Sequence, residues 1–373
     1  MTEPLSDRNH PHGFDFDYDF WFDCDCGTRI TVASPLYERQ REGEEPYPRC
    51  PCGSIIDISE VVPAVRDPLD IDHQAQAVDR HYWYHSSYLE DWPSEGSYLR
   101  DLTGLIESSP LPRWQHQEMI VGKLSLALHL GTYGAAVENA LRRRRDQDFD
   151  GRSYWLHQVE ISLKTGDLHP EVGGELNGSI GDVSLNELVA REAHAVRYVN
   201  THESAGSISL AVDRSVIIRV RTISLPPSSS VMRASTAATE AVEYTLAQLA
   251  EAEGLRPDTT GIPDKEIPRS VIGAKLAQLH GEQDPRLMEV AVQQEAYDDR
   301  QREIWATLEK CLLDEYLVGV NTQVRSLFAA ACRLGVDLHE YHEQVRGLAA
   351  LLRQPRKVID AFEGSEWRVV VHS

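Results

Sequence analysis

Two tight cysteine pairs, Cys24-Asp25-Cys26-Gly27 and Cys50-Pro51-Cys52-Gly53, constrain this chain more than any other feature. Thiolates this close together are strong zinc ligands, and a structural Zn²⁺ takes four of them in a tetrahedron. Residues 27 to 49, between the pairs, have the length for the hairpin of a zinc ribbon. The single-residue spacer is shorter than the usual two-residue knuckle, and redox dithiols are the alternative. The repeated Cys-x-Cys-Gly favours a metal. Cys24, Cys26, Cys50 and Cys52 are therefore candidate zinc ligands. Ahead of them, aromatic and acidic residues alternate from Phe14 to Phe22. That period predicts a first strand with its aromatics on one face. With the arm Ile30 to Val32 and the apolar stretch Ile55 to Val62, the ribbon is expected over 1–62.

The other two cysteines, Cys311 and Cys332, lie in helical, apolar surroundings. Six cysteines spread this way suit a reducing cytoplasm better than a disulfide framework. No apolar run is long enough for a transmembrane helix. The polar stretch Met1 to Asp19 lacks the apolar core of a signal peptide. A cytoplasmic protein without a membrane partner is expected. The net charge of −22 repels phosphate backbones at long range and argues against bulk nucleic-acid binding. It leaves room for a local basic groove. The one basic cluster, Arg142-Arg143-Arg144-Arg145, reads as the solvated end of a helix, where cations complement the macrodipole. A phosphate-facing or substrate-facing patch is the sharper alternative.

Residues 63–80, acidic and polar with Pro63 and Pro68, read as a linker or short helix. The block 81–224 mixes helix and strand and predicts an α+β domain. Its strand candidates are Tyr82 to His85, Ser125 to Leu130, Tyr154 to Leu163, Ser207 to Val212 and Ile217 to Ile223. Its helix candidates are Trp114 to Gly122, Ala135 to Arg145 and Leu185 to Val199. The run Leu225-Pro226-Pro227-Ser228-Ser229-Ser230 is a breaker, and 225–232 reads as a second linker. From 233 to 373 the apolar spacing is mostly helical, with a final short strand at Trp367 to Val371. This tail carries no catalytic signature; it suits an accessory domain, an oligomerisation surface or a clamp on a target. Fifteen histidines invite a second metal site, but none has the spacing of a zinc protease helix. Phosphate-binding glycine loops and a nucleophile elbow are absent. Gly173-Gly174 and the glycines from Gly178 to Gly181 read as turns.

Three pieces of the middle block carry chemistry. Tyr82-Trp83-Tyr84-His85-Ser86-Ser87 is an aromatic strand that ends in a histidine and hydroxyls. Leu126-Ala127-Leu128-His129-Leu130-Gly131-Thr132-Tyr133 is an apolar strand, a glycine turn and a helix start. In the third, Tyr198-Val199-Asn200-Thr201-His202-Glu203-Ser204-Ala205-Gly206 leads into Ser207-Ile208-Ser209-Leu210, so a glutamate sits just before a strand. In this order the pieces resemble the diphtheria-toxin-like ADP-ribosyltransferase fold. That family places a histidine on its first strand, an aromatic or second histidine on the strand before a helix, and a glutamate or substitute on a later strand. The resemblance covers roughly 80–223. It departs from the usual His-Tyr-Glu scheme by offering His129 where a tyrosine commonly stacks on nicotinamide.

The resemblance implies a split β-sheet domain that uses NAD⁺ and modifies a macromolecular acceptor, protein or nucleic acid. A setting of toxicity or of phage–host conflict would fit it. Breaking the nicotinamide–ribose bond builds positive charge on the ribose, as in glycoside cleavage. A carboxylate close by offsets that charge, and Glu203 is the candidate. His85 and Ser86 are the expected grip on NAD⁺; His85 and His129 are the further catalytic candidates, and His129 is also expected to help bind NAD⁺. Gly131, Thr132 and Tyr133 are expected to frame nicotinamide and phosphate at the helix start. The ribbon and the helical tail would help choose the acceptor. Plainer readings stand beside these: His85 as a hydrogen-bonded core residue, His129 as a buried strand residue, Thr132 as a helix cap and Glu203 as a solvated turn residue. The competing function is a non-catalytic zinc-ribbon adaptor or nucleotide-binding protein, and NAD⁺ hydrolysis is a third.

Overall fold

The structure is a computed structural model. It describes residues 14–107, 112–146, 153–164, 166–175, 183–228, 231–263, 267, 270–279, 286–332 and 337–371. The start of the expected ribbon, 1–13, and the glycines from Gly178 to Gly181 lie outside these residues. The fold is mixed α+β. The chain forms two compact units: one from 1–232, 319–332 and 347–373, the other from 233–318 and 333–346. The tail from 233 is therefore divided between two units.

The first unit opens on the hairpin β1 (Phe20–Asp23) and β2 (Arg29–Val32), paired antiparallel with Phe20 opposite Val32. The aromatic alternation holds: Phe16, Tyr18, Phe20 and Phe22 are buried while Asp15 and Asp17 are exposed. Regular pairing starts only at Phe20. The segment between the cysteine pairs is more than a hairpin. It contains β2 and then helix α1 (Ser34–Arg41), opened by Pro35 in the first turn, where its missing N–H costs nothing. Tyr37 of α1 stacks on Phe20 with ring centroids 3.7 Å apart.

Two four-stranded sheets follow. The first runs β10–β9–β5–β3, all antiparallel: β3 (Trp83–Ser87), β5 (Tyr154–Ile161), β9 (Ile217–Leu225) and β10 (Arg368–Val369). The second runs β4–β8–β7–β6: β4 (Leu128–Leu130), β8 (Ile208–Val212), β7 (Ala195–Val199) and β6 (Leu168–Gly174), with only β6 and β7 parallel. A bridge between Tyr84 and Gly131, bonded in both directions at 2.9 Å, joins β3 to the end of β4. The sheets share one core between them. Trp83, Val159, Ile217 and Val220 come from the first sheet and Leu130, Ile208, Leu210 and Val212 from the second.

Several sequence expectations change here. The helix expected over Leu185 to Val199 is α5 (Leu185–Ala190) followed by β7. A capping box of Ser184 and Glu187 starts α5, and Glu192 turns the chain with φ 52°. Every residue of β7 is buried, so a two-sided strand imitated a continuous helical run. The strand β6 contains Gly173 and Gly174, which read as turns, and also Pro170, and a sheet edge tolerates all three. Residues 63–80 are not a free linker. Asp72 is fully buried and pairs with His81 at 2.9 Å, and Arg197 donates to the carbonyls of Asp72, His73 and Pro170.

Helices α2 (Glu95–Glu107) and α3 (Arg113–Leu124) lie between β3 and β4. Helix α4 (Tyr133–Asp146) packs on β3 and on α9 (Thr322–Ala331). The unit closes with the last part of α10 (Leu338–Arg353), then α11 (Pro355–Glu363) and β10. In the second unit, α6 (Thr236–Ala252) and α7 (Val271–Leu279) pack on the long α8 (Arg286–Tyr316). There Tyr316 bonds His342 at 2.7 Å and Trp305 meets Tyr341 edge-on. Among the described residues, no helix is long and apolar enough to cross a membrane.

Candidate functional site

The four cysteine sulfurs lie within 4.8 Å of one another. Cys24 to Cys52 is 3.7 Å and Cys26 to Cys50 is 3.4 Å. Disulfides need about 2.05 Å, so these are free thiols. A tetrahedral zinc at about 2.3 Å from each sulfur would set them about 3.8 Å apart. The cluster therefore fits a metal such as zinc. Two matching turns build it. Cys24 N–H bonds Thr28 O and Gly27 N–H bonds Cys24 O; Cys50 N–H bonds Ser54 O and Gly53 N–H bonds Cys50 O. Gly27 and Gly53 both take positive φ, 83° and 97°, which explains the glycine after each pair.

The second site is set by strand geometry. Residues paired across an antiparallel bridge share a face, and a strand alternates faces with period 2. The Tyr84–Gly131 bridge therefore puts Ser86 and His129 on one face, the face that α4 covers. Asn139 of α4 donates to Ser86 Oγ at 2.9 Å. Arg142, one turn later, donates to Asn139 Oδ1 at 3.3 Å. Its Nε and Nη2 both reach Glu203 Oε1, at 2.7 and 2.6 Å. On the second sheet, His129 Nδ1 lies 3.0 Å from the Tyr198 hydroxyl, with Ser209 beside Tyr198 on the same face. Burial and the carboxylates of Glu175 and Glu203 push the Tyr198 phenol well above its usual pKa. Ser86, His129, Asn139, Arg142, Tyr198 and Glu203 thus gather where the two sheets part.

Glu203 is presented by a tightly held turn. Asn200 Oδ1 accepts from the amides of His202 and Glu203, and Asn200 Nδ2 bonds Ser209 Oγ. Ser204 sits at φ 50°, a left-handed backbone rare for a serine. Its amide donates to Glu138 Oε2 at 2.6 Å. Gly206 has φ 81°, and a Cβ there would lie 2.7 Å from Ala64 O. Gly206→Val is expected to lower stability by about 2–4 kcal/mol through strain and overlap. Chemical denaturation of the purified variant checks this, and an unchanged midpoint would remove the close approach of 64–66 from the account.

Other expected site residues lie elsewhere. His85 points to the opposite face of β3 from Ser86, so the two cannot grip one ligand group together. Its Nδ1–H donates to His129 O at 2.8 Å and its ring stacks on Trp92 at 4.1 Å. Burial, helped by Arg143, pushes its pKa down to about 3, so it is neutral near pH 7. The Gly131 amide is spent on Tyr84 O and is not offered to a phosphate. Thr132 caps α4, accepting from Ala135 N–H at 3.2 Å. Tyr133 is fully buried, donates to Leu351 O and meets Phe14, Phe16 and Tyr84 edge-on. It is a core residue and presents no ring to a ligand. The arginine run is not a solvated helix end: Arg142 holds Glu203, Arg143 bonds Asn139 and Arg144 is buried. Asn139 and Glu138 escape the sequence reading because a helical asparagine or glutamate carries no spacing signal, and Tyr198, although it opens the third piece, carries none that would give it a role.

Glu138 is buried on α4, and the Tyr18 hydroxyl donates to it at 2.9 Å. Desolvation lifts its carboxyl from 4.5 to about 7. A raised pKa means the folded state holds the proton more tightly. Stability from this group is complete below pH 4.5 and is lost as pH rises through about 7, by roughly 3 kcal/mol. His85 acts with the opposite sign: its depressed pKa costs stability as pH falls from 6.5 toward about 3. Glu138→Gln should therefore flatten the loss of denaturation midpoint between about pH 5 and about pH 8. Equal pH slopes in the two proteins would contradict the assignment.

The chain matches no family model, no curated protein and no solved structure.

Proposed function

We propose that the protein is an NAD-dependent ADP-ribosyltransferase that modifies a macromolecular acceptor and releases nicotinamide, with a zinc-binding ribbon as a structural part. One observation supports this above the others. Arg142 holds a single oxygen of Glu203, and Oε2 has no protein partner among the described residues. A carboxylate aimed by an arginine through one of its oxygens suits a ribose hydroxyl and the positive charge that develops beside it. The arginine keeps the carboxylate aimed before the ligand arrives, and such preorganisation needs no rearrangement during the reaction. His129 and Tyr198 offer a polar, partly aromatic wall, and Ser86 a hydroxyl, on the same face. NAD⁺ supplies the bond to be broken; the electron pair of that bond leaves with nicotinamide, and the acceptor's nucleophile takes its place and loses a proton.

The test is nicotinamide release from NAD⁺ by the purified protein, with cell lysate as the source of acceptors. Release with label transferred from NAD⁺ to a macromolecule supports the transferase. Release with free ADP-ribose alone assigns NAD⁺ hydrolysis. The four-thiol cluster favours a second reading, a non-catalytic zinc-ribbon adaptor, and absence of release from a folded, metal-loaded protein would select it.

A further inference from the structure

The ribbon and the turn that carries Glu203 are interlocked through residues 64–66. Both hairpin strands reach this segment: Ala64 N–H bonds Trp21 O at 2.6 Å, and Arg29 Nη1 bonds Val65 O at 3.2 Å. The segment then seats on the turn. Arg66 N–H bonds Gly206 O at 2.8 Å, and its Nη2 bonds Ser204 Oγ at 3.2 Å and Ala205 O at 2.9 Å. The same guanidinium lies 3.8 Å over the ring of Tyr18, just ahead of β1. Tyr18 closes the loop through Glu138, which accepts from Ser204 N–H. So every outer support of the left-handed Ser204 comes from, or is braced by, the ribbon side. A left-handed non-glycine persists only where its surroundings hold it.

A hairpin of two four-residue strands is marginal alone, and a structural metal supplies its folding energy. We propose that metal binding by the four thiols sets the position of Glu203, with Arg66 as the positioning residue that carries the effect. The ribbon is then an internal brace of the active site, a role that rests on Glu203 being the working carboxylate.

The experiment is amide hydrogen exchange on the full chain, zinc-loaded and after chelation. Chelation should speed exchange about tenfold or more in peptides covering 200–208 as well as 20–32, while β5 and β9 keep their protection. Ribbon peptides that exchange freely with 200–208 unchanged would overturn the proposal. Arg66→Gln, with full metal content, should loosen 200–208 alone, and Arg66→Lys should restore part of the protection. In the activity assay Arg66→Gln should lower kcat more than it raises KM, and should add little in a Glu203→Gln background. Full additivity there would place Arg66 outside the path to Glu203. If the wild type releases no nicotinamide, the exchange result still decides the coupling, so the two readings fail separately.

Discussion

Glu203→Gln is expected to slow nicotinamide release by about 10²–10³-fold, equivalent to about 3–4 kcal/mol of barrier. The amide keeps an oxygen for Arg142 and nearly the same volume, so the turn should hold. What is lost is the negative charge that the proposed reaction needs beside the ribose. Turnover is compared at saturating NAD⁺, with exchange protection at 200–208 confirming that the turn is intact. A variant that keeps most of its rate would move the chemistry away from Glu203, whatever the family resemblance implies. Because Arg142 donates twice to one oxygen, Arg142→Ala should hurt through misdirection and Glu203→Gln through charge. The first is therefore expected to show a larger change in KM.

The other large effect is on folding. Cys50→Ala is expected to abolish metal binding, from one ion per chain to none. Structural zinc sites contribute on the order of 10 kcal/mol in small modules. The ribbon's aromatic core, Phe20, Phe22 and Tyr37, is too small to replace that. Metal content and aromatic fluorescence at the ribbon report the loss. A variant that still binds one zinc tightly would show that the remaining three thiols suffice.

The legible parts of this chain were those that repeat or punctuate. The Cys-x-Cys-Gly pairs announced the thiol cluster because each glycine is needed for a positive φ after its pair. The helix after Thr132 was legible because its cap and alanines are local signals. What failed was long-range. Nothing near Pro63 or Pro68 shows that Arg66 is clasped by a turn at Ser204 to Gly206. Nothing in Tyr82 to Ser87 says which face α4 will cover, so His85 and Ser86 read as partners although the pleat sets them apart. The five buried residues of β7 lost their period because both faces are covered. The arginines after Leu141 looked solvated because their acid lies in another motif.

The chain order of the first sheet has a consequence during synthesis. Its outer strand, β10, is made last of the four, after a detour that takes in the whole of the second unit, 233–318 and 333–346. Until Arg368 and Val369 arrive, β9 stands as an open edge able to pair with other chains. The sheet opposite has no such wait, since β4 through β8 are finished early. A nascent chain arrested at residue 346 should therefore be cut by protease within β9 while β7 and β8 resist. Full protection of β9 in that arrested chain would show that the edge is covered by something other than the C-terminal strand. On this view the first sheet closes only once β10 has been made and has come back to β9.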